Sequence, residues 1–502
     1  MHKYLIILPN NLGDVITSTP VLEGLKKKDQ TSEITFLVEN GFEAGIERNP
    51  YCDRLIRFDR EKTREYIRSE WQNGIKYLGE FIKKLKQESF DTIINLSQNT
   101  YISYIVALLK GIEKKGMQFL PEGNFAVNDE WSLYLYAVPY ARQFNCLHVT
   151  DVYKRIAGVQ SCAAEGHITL RKNEIKKAKK FIEEITVKST SRKVVFQCGA
   201  AWKVKQWPPE YFVILGRKLV RDGYFILITG APQEFESATK IQEGIGENSA
   251  VTTGKLSFRE TIALLLFTDC CITADTALMH AASALNRKVI ALFGPTSPIE
   301  TGPYGSGHTV LAGKCPDRPC FNKNCSSNRC LKGIFPETVY SCFHNRFPDN
   351  SGCDIFKTEL SDGIYKLIPA VSKTEQYYNE AGSVVARKLL EPWITVSFDD
   401  TFKQIRSKAK IYTKEIRKME KELVEYISDN DISHIHQYEK IHRELSLSDG
   451  ITVFWNAILN LKLNSIPVLK PLTGIKESIN ILEKTAKQIT QSVENEMQAV
   501  SR

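Results

Sequence analysis

The sequence predicts an α/β protein built from two doubly wound, Rossmann-like domains in tandem, followed by an α-helical C-terminal extension. Three observations predict it. Short apolar runs of strand character alternate with amphipathic helical stretches through the first part of the chain. A charged connector, "RKNEIKKAKKFIEEITVKSTSRK", then leads into a second series of the same kind. After about residue 365 the strand signals give way to long helical patterns. The expected domains are 1–170, 171–365 and 366–502, with the first boundary falling somewhere near residues 160 to 185.

The elements follow in order. "KYLIILP" reads as the first strand, and "GDVITSTPVLEGLKK" as a loop turning into a helix. "EITFLVE" and "DRLIRFD" are strands, "IKYLGEFIKKLKQ" is an amphipathic helix, and "DTIINLS" is another strand. This alternation predicts a parallel sheet with helices on both faces. In the second series "VVFQCG", "YFILITG", "CCITAD" and "VIALFG" are strands, separated by "PPEYFVILGRKLVRDG" and "SFRETIALLLFTD". Between the last two strands, Leu278, Ala281, Ala282 and Leu285 recur at helical spacing. In the extension, "SKAKIYTKEIRKMEKELVEYI" and "GIKESINILEKTAKQITQSVENEM" are long helical patterns, suited either to packing back on the core or to mediating assembly. His434, His436 and His442 match no standard zinc spacing there and read as a solvated helix face.

Composition narrows the class. Hydrophobic content of 42% with 25% charged residues is that of a water-soluble globular protein. A net charge of +9 is a mild excess over 502 residues; it suits anionic partners without indicating nucleic acid. "MHKYLIILPNN" has too short an apolar run for a signal peptide. No apolar stretch approaches the roughly 20 residues that span a bilayer, so the expected location is the cytoplasm, with membrane contact from that side. Twelve mostly scattered cysteines, including Cys270-Cys271 on an expected buried strand, suit reduced thiols.

Three loops at strand ends carry the chemistry. In such sheets ligands bind outside the carboxyl ends of the strands. "LPNNLGDVITSTP" places Gly13 and Asp14 directly after the first strand; the glycine permits close backbone approach and the carboxylate stands at the cleft mouth. "CGAAWKVKQWPPEYF" places Lys205 and Trp207 before a Pro-started helix, where a lysine is a natural phosphate contact. "TADTALMH" sets Asp275, Thr276 and His280 around a helix N-terminus, an anion-favouring end. Each has a plain alternative: a helix cap for Asp14, Asp275 or Thr276, a surface charge for Lys205, a satisfied polar residue for His280.

Taken together, "NLGDVITSTPVLEGLKK", "KQWPPEYFVILGRKL", "ITGAPQEFESA" and "TADTALMHAASALNRKVIALFGPTSP" resemble glycosyltransferase family 9, which contains the ADP-heptose:lipopolysaccharide heptosyltransferases. The resemblance covers most of residues 1 to about 345. It implies a GT-B fold, with the acceptor on the first domain and the nucleotide-sugar on the second. It further implies inverting transfer of a heptose, or a related sugar, from a donor expected to be ADP-heptose to an anionic glycolipid or other glycan acceptor. Asp14 matches the family's general base and Lys205 the lysine that neutralises the leaving diphosphate. Gly13, Ala200, Ala201, Asp275, Thr276, Ala277, Leu278 and His280 match donor-site positions. Glu234, or else Glu236, corresponds to an acidic residue near the ribose, and Leu256 to an apolar contact with the base. No cofactor is required for this chemistry.

The chain also departs from the pattern. Ala200 and Ala201 stand where core heptosyltransferases often have hydroxyl residues, so two hydrogen bonds to the donor phosphates are missing. In "CPDRPCFNKNCSSNRC", Cys315, Cys320, Cys325 and Cys330 recur every five residues. A branch of the family that heptosylates autotransporter proteins holds iron in a similar loop, and four thiolates suit a structural zinc or iron. Free thiols are the other reading. The rival functions are a protein heptosyltransferase, a silent family member acting as a binding or assembly subunit, and a nucleotide-sugar epimerase.

Overall fold

The computed structural model describes residues 1–371 apart from 10, 120–124, 128, 141, 143–144, 146, 161, 163–165, 187–191, 350 and 362. From residue 372 onward the expected helical extension, with His434, His436 and His442, lies outside the described residues. In chain order the elements are β1 (Lys3–Ile7), α1 (Leu12–Thr17), α2 (Thr19–Lys28), β2 (Glu33–Glu39), β3 (Arg54–Phe58), α3 (Arg60–Ser69), α4 (Trp71–Gln87) and β4 (Phe90–Asn95). They continue with α5 (Thr100–Leu108), β5 (Gly111–Phe119), β6 (Phe125–Val127), α6 (Glu130–Ala137), α7 (Val149–Ala157) and α8 (Lys172–Ile185). The next series is β7 (Lys193–Gln197), α9 (Pro209–Arg221), β8 (Phe225–Thr229), α10 (Phe235–Ile245), β9 (Ser249–Val251), α11 (Phe258–Leu264), β10 (Cys270–Ala274), α12 (Ala277–Ala284) and β11 (Lys288–Phe293). The last are α13 (Pro298–Thr301), β12 (Thr309–Gly313), α14 (Arg329–Lys332), α15 (Pro336–Phe343), β13 (Cys353–Ser361) and β14 (Ile364–Pro369).

The chain divides into two compact units, one of Met1–Ile94 and Leu147–Glu375, the other of Asn95–Cys146 and Gln376–Arg502. The first unit holds both Rossmann-like lobes. In its first sheet the strands run β3-β2-β1-β4, and β1 pairs in parallel with β2, as β2 does with β3. The chain therefore reverses direction across the sheet between β1 and β4. The second sheet is ordered β14-β13-β12-β11-β10-β7-β8-β9, with its reversal between β7 and β10. Those two crossings are where a doubly wound sheet opens a crevice. The loops after β1, β7 and β10 leave from them.

The second sheet differs from a purely parallel one. β13 pairs antiparallel with β12, and β14 antiparallel with β13, so a hairpin extends one edge. Residues 172–185 of the charged connector form α8, whose Ala178 and Ile182 face inward while its lysines stay in solvent. Val194, Phe196, Ile226, Ile228 and Ile272 are fully buried beneath α9 and α10. Trp207 joins this core, 1% exposed, with its indole N–H donating to the Ile334 carbonyl at 2.9 Å. It is thus a packing residue, although its neighbour Lys205 faces the cleft.

Within the second unit, Asn95 donates to the Met117 carbonyl and Asp129 caps α6 by accepting from the Ser132 backbone N–H. Tyr104 stacks on Phe119 there.

Candidate functional site

The site is built where α1 meets the start of α12. α1 begins right after β1, and Asn11 before it takes a left-handed φ of 65°, which asparagine tolerates better than most residues. That turn aims the Asn11 amide at Asp14, whose Oδ2 accepts from it at 2.9 Å. Gly13 is the contact point between the helices: a β-carbon there would lie 2.9 Å from the His280 ring and 3.8 Å from the Ala277 Cα. Glycine lets the first lobe bring its carboxylate against the second lobe's helix.

On the donor side Lys205 and Asp275 form the central pair. Lys205 Nζ donates to Asp275 Oδ2 at 2.7 Å, and the side chains are 15% and 10% exposed. His280 Nε2 lies 3.9 Å from the other oxygen of Asp275. Thr276 occupies the N-cap position of α12, yet its hydroxyl pairs with Thr273 at 3.0 Å instead of capping the helix. The first-turn N–H groups of α12 thus receive no side-chain cap from it. Ala277 and Leu278 form that first turn, with Leu278 buried.

The electrostatics separate the two aspartates. Burial pushes Asp14 up to about 6; the Asn11 hydrogen bond opposes this, the charge of Asp275 adds to it and that of Lys205 reduces it. Burial would raise Asp275 as well. Lys205 and His280, with hydrogen bonds from Lys205 and Thr296, outweigh it and hold that carboxyl below the usual aspartate range. Burial lowers His280 to about 4, so its ring is neutral at physiological pH.

Glu234 and Glu236 have different places. Glu234 accepts from the Ala231 backbone N–H at 2.7 Å and from that of Ala200, and burial raises its pKa. It lies directly over Gly199, where a β-carbon would come within 1.6 Å of its carboxyl carbon. Glu236 points outward and pairs with Lys240. Ala200 is half-buried and Ala201 exposed. Leu256 sits half-buried in the turn between β9 and α11, and nothing in the described contacts brings it to Asp14 or Lys205.

Behind the site lies a buried polar layer. His148, fully buried and lowered to about 3 chiefly by burial, accepts from the Thr150 N–H through Nδ1 and donates from Nε2 to the Gly302 carbonyl. Asp151 accepts from the Tyr304 hydroxyl at 2.6 Å and from the Tyr365 N–H at 2.9 Å. Thr150 donates to the carbonyl of Thr17, at the end of α1. A second tie runs from α11: Arg259 donates to Glu174 at 2.7 Å and to the Ala44 carbonyl at 2.9 Å. The turn at Ala44 and Gly45 packs on Leu12, Val15 and Ile16 of α1. The helix that carries Asp14 is therefore tied at Thr17 to α7 and, through the turn at Ala44, to Arg259 of the second lobe. Apart from the Thr150 N–H that caps onto His148, none of these partners could be found locally, because each lies far along the chain.

The four loop cysteines are free thiols, and among the described residues no group of three or more His, Cys, Asp or Glu side chains is placed to hold a metal. Cys330 is close enough to Cys315 and Cys320 for their charges to act on it, but its burial is the largest influence and raises its pKa. Among the described residues no helix is long and apolar enough to cross a membrane.

Comparison with known proteins gives a consistent result. The model of glycosyltransferase family 9 (heptosyltransferase) matches residues 78–331. Lipopolysaccharide heptosyltransferase 1 of Pseudomonas aeruginosa is 24% identical over 331 residues, covering 64% of this chain and 87% of that protein. Lipooligosaccharide heptosyltransferase 2 of Haemophilus influenzae is 23% identical over 317 residues, covering 61% and 87%. Among solved structures, a family 9 glycosyltransferase from Veillonella parvula superposes with a TM-score of 0.59 at 24% identity, covering 68% of this chain and 96% of that one. The ADP-heptose lipopolysaccharide heptosyltransferase II of Escherichia coli gives 0.52 at 17% identity, covering 68% and 98%. The fold is GT-B.

Proposed function

Because the chain belongs to glycosyltransferase family 9, the heptosyltransferase family, we propose that it transfers a heptose from ADP-heptose, with inversion, to the core of a lipopolysaccharide or a related anionic surface glycan. One observation carries the reading: a carboxylate raised to about 6 on the first lobe faces a buried Lys205–Asp275 pair on the second. In this mechanism Asp14 accepts the proton of the acceptor hydroxyl as its oxygen attacks the anomeric carbon from the face opposite the leaving group. A base of that pKa is largely ionised at neutral pH yet basic enough to share the proton in the transition state.

As the glycosidic C–O bond breaks, negative charge develops on the departing ADP. Lys205 supplies the counter-charge, preorganised by Asp275 and costing no rearrangement at the moment of reaction. The uncapped first turn of α12 and neutral His280 offer N–H donors to the phosphates and sugar. Glu234, beside Gly199 and Gly230 at the ends of β7 and β8, takes the ribose in this reading. Gly13 keeps the two sides in register, and Leu256 serves the base from its turn. Ala200 and Ala201 contribute backbone only. No metal is required for these steps. We place the reaction at the cytoplasmic face of a membrane that carries the acceptor, with the protein in peripheral contact.

The test is a thermal-shift and hydrolysis screen of ADP-, GDP- and UDP-sugars on the full chain. ADP-heptose should give the largest stabilisation and the fastest release of nucleoside diphosphate in the presence of acceptor. A protein stabilised by none of these sugars would overturn the proposal. A clear preference for GDP- or UDP-sugars would keep the transferase and replace the donor.

A further inference from the structure

The Cys-rich segment is the one sequence motif that this reaction leaves unused, and its tip reaches the donor side of the site. Both ends of the segment are anchored. Arg318 donates to the Ala312 and Gly313 carbonyls at 2.9 and 2.7 Å and pairs with Asp354 at 2.7 Å. At the far end Cys330 and Leu331 are buried against Gly294, where a β-carbon would meet Leu331 at 2.9 Å. Between these anchors the Phe321 backbone N–H donates to the Pro295 carbonyl at 3.0 Å, one residue before the Thr296 that bonds Asp275.

Two residues further on, the segment places a cation. Lys323 Nζ stands 4.6 Å from the centroid of the Trp202 ring, and Lys205 Nζ stands 5.0 Å from the same centroid. Phe321 packs edge-on to that ring at 6.3 Å. An indole attracts an ammonium group to its face, but it does not neutralise two of them. Lys205 has its carboxylate partner in Asp275. Lys323 makes no ion pair among the described residues, and neither does Lys203, exposed in the same turn as Trp202. The rim of the donor side therefore carries positive charge that the described residues do not balance.

We infer that Lys323 is a second phosphate-binding cation of the donor site, carried there by the Cys-rich segment, with Trp202 as the platform it shares with Lys205. The ligand class is the diphosphate of a nucleoside diphosphate sugar. The inference rests on the reading of this cleft as a nucleotide-sugar site. It gives the Cys-rich segment a role in donor affinity that needs no metal. It also offsets part of what Ala200 and Ala201 omit, since a lysine reaches a phosphate as a point charge from outside the loop where hydroxyls are missing.

The test measures binding of ADP, adenosine and inorganic pyrophosphate to the full chain by calorimetry, for the native protein, Lys323→Gln and Lys323→Arg. Loss of one charge-assisted contact should weaken ADP by about five- to twenty-fold in Lys323→Gln. Pyrophosphate should weaken in parallel, adenosine should not change, and Lys323→Arg should stay within about three-fold of native for ADP. Unchanged ADP and pyrophosphate affinity in Lys323→Gln would overturn the inference. So would an equal loss for adenosine, which would mean that Lys323 only supports Trp202. A native protein that binds pyrophosphate in a Lys323-dependent way but not ADP would refute the adenine nucleotide while supporting this subsite. Failure of the native protein to bind either would sink the nucleotide-sugar reading and this inference together.

Discussion

Replacing Asp14 by asparagine should remove activity and, at neutral pH, stabilise the fold. The two effects have one origin. The Asp14 carboxyl rises from the ordinary 3.8 to about 6 because burial disfavours its charge. At about 1.4 kcal/mol per pH unit, the ionised form costs the native state about 3 kcal/mol as an upper bound. The side chain is partly open to solvent, which reduces the figure to about 1–2 kcal/mol. The sign follows from proton binding. Between pH 3.8 and about 6 the native state holds a proton that the unfolded chain has released, so stability falls as pH rises through that window and stays lower above it. The substituted amide does not titrate and can keep a hydrogen bond to Asn11. The variant should therefore melt about 2–4 °C above native at pH 7.5 and show no gain near pH 4. Its transfer rate should fall by about 10²–10⁴-fold with donor affinity nearly unchanged. In the native enzyme log kcat/KM should rise with unit slope up to about pH 6 and then level. Scanning calorimetry at the two pH values, with a coupled assay of ADP release from pH 5 to 8, measures all of this. A variant that keeps a tenth of native activity, or that loses stability at pH 7.5, would refute the reasoning.

Further perturbations test the surrounding framework. Lys205→Ala should weaken ADP binding and slow turnover together, because the same charge faces the phosphates before and during bond breaking; unchanged kinetics in a donor titration would hand the role to Lys203 or Lys323. Arg259→Met removes the closest cation of the buried Glu174 carboxylate, leaving Arg171 at 3.9 Å and its backbone N–H, and should destabilise by about 2–3 kcal/mol in urea unfolding; a loss below about 1 kcal/mol would mean that the tie to α1 is not under load. Protein purified without a metal-binding tag should contain less than about a tenth of an equivalent of zinc or iron, and chelator should leave transfer intact. In thiol titration Cys325 should react before Cys330, since hydrogen bonds from Ser327 and Asn328 lower the first and burial raises the second; a stoichiometric metal with all four thiols protected would show that the segment closes differently.

How much of this could be read from the sequence depended on distance along the chain. Asp14, Lys205, Asp275 and His280 each follow the end of a strand by a few residues, and strand ends are visible as periodic apolar runs cut off by Gly, Asp or Pro. The alternation of elements gave the doubly wound lobes for the same reason. The antiparallel hairpin β13–β14 was missed, because "CDIFKTEL" and "IYKLIP" look no different locally from parallel strands. Trp207 sits beside Lys205 in the sequence, yet the turn into α9 sends its ring into the core. Asn11, which orients Asp14, depends on a single left-handed residue that composition does not announce. His148, Asp151 and Arg259 act on partners 85 to 215 residues away. Such pairings exist only once distant parts of the chain have folded together.

The two aspartates show why the site needs both lobes. In solution their carboxyls would titrate alike. Here burial acts on each, but only Asp275 has a cation in direct contact, so its charge is fixed while that of Asp14 is left responsive. His280, whose ring burial keeps neutral at physiological pH, stands 3.9 Å from Asp275. A carboxylate whose proton affinity is raised, set across from one whose charge is held, is the division of labour expected between a base and the partner of a phosphate-binding lysine. When a diphosphate engages Lys205, its negative charge must oppose the lowering influence that this lysine exerts on Asp14. The base then becomes more basic as the leaving group is seated. In the proposed reaction, donor binding and acceptor deprotonation would thereby be coupled through one ammonium group. That coupling is also why Gly13 has to be small: a side chain there would part α1 from α12 and leave Asp14 outside the field that tunes it.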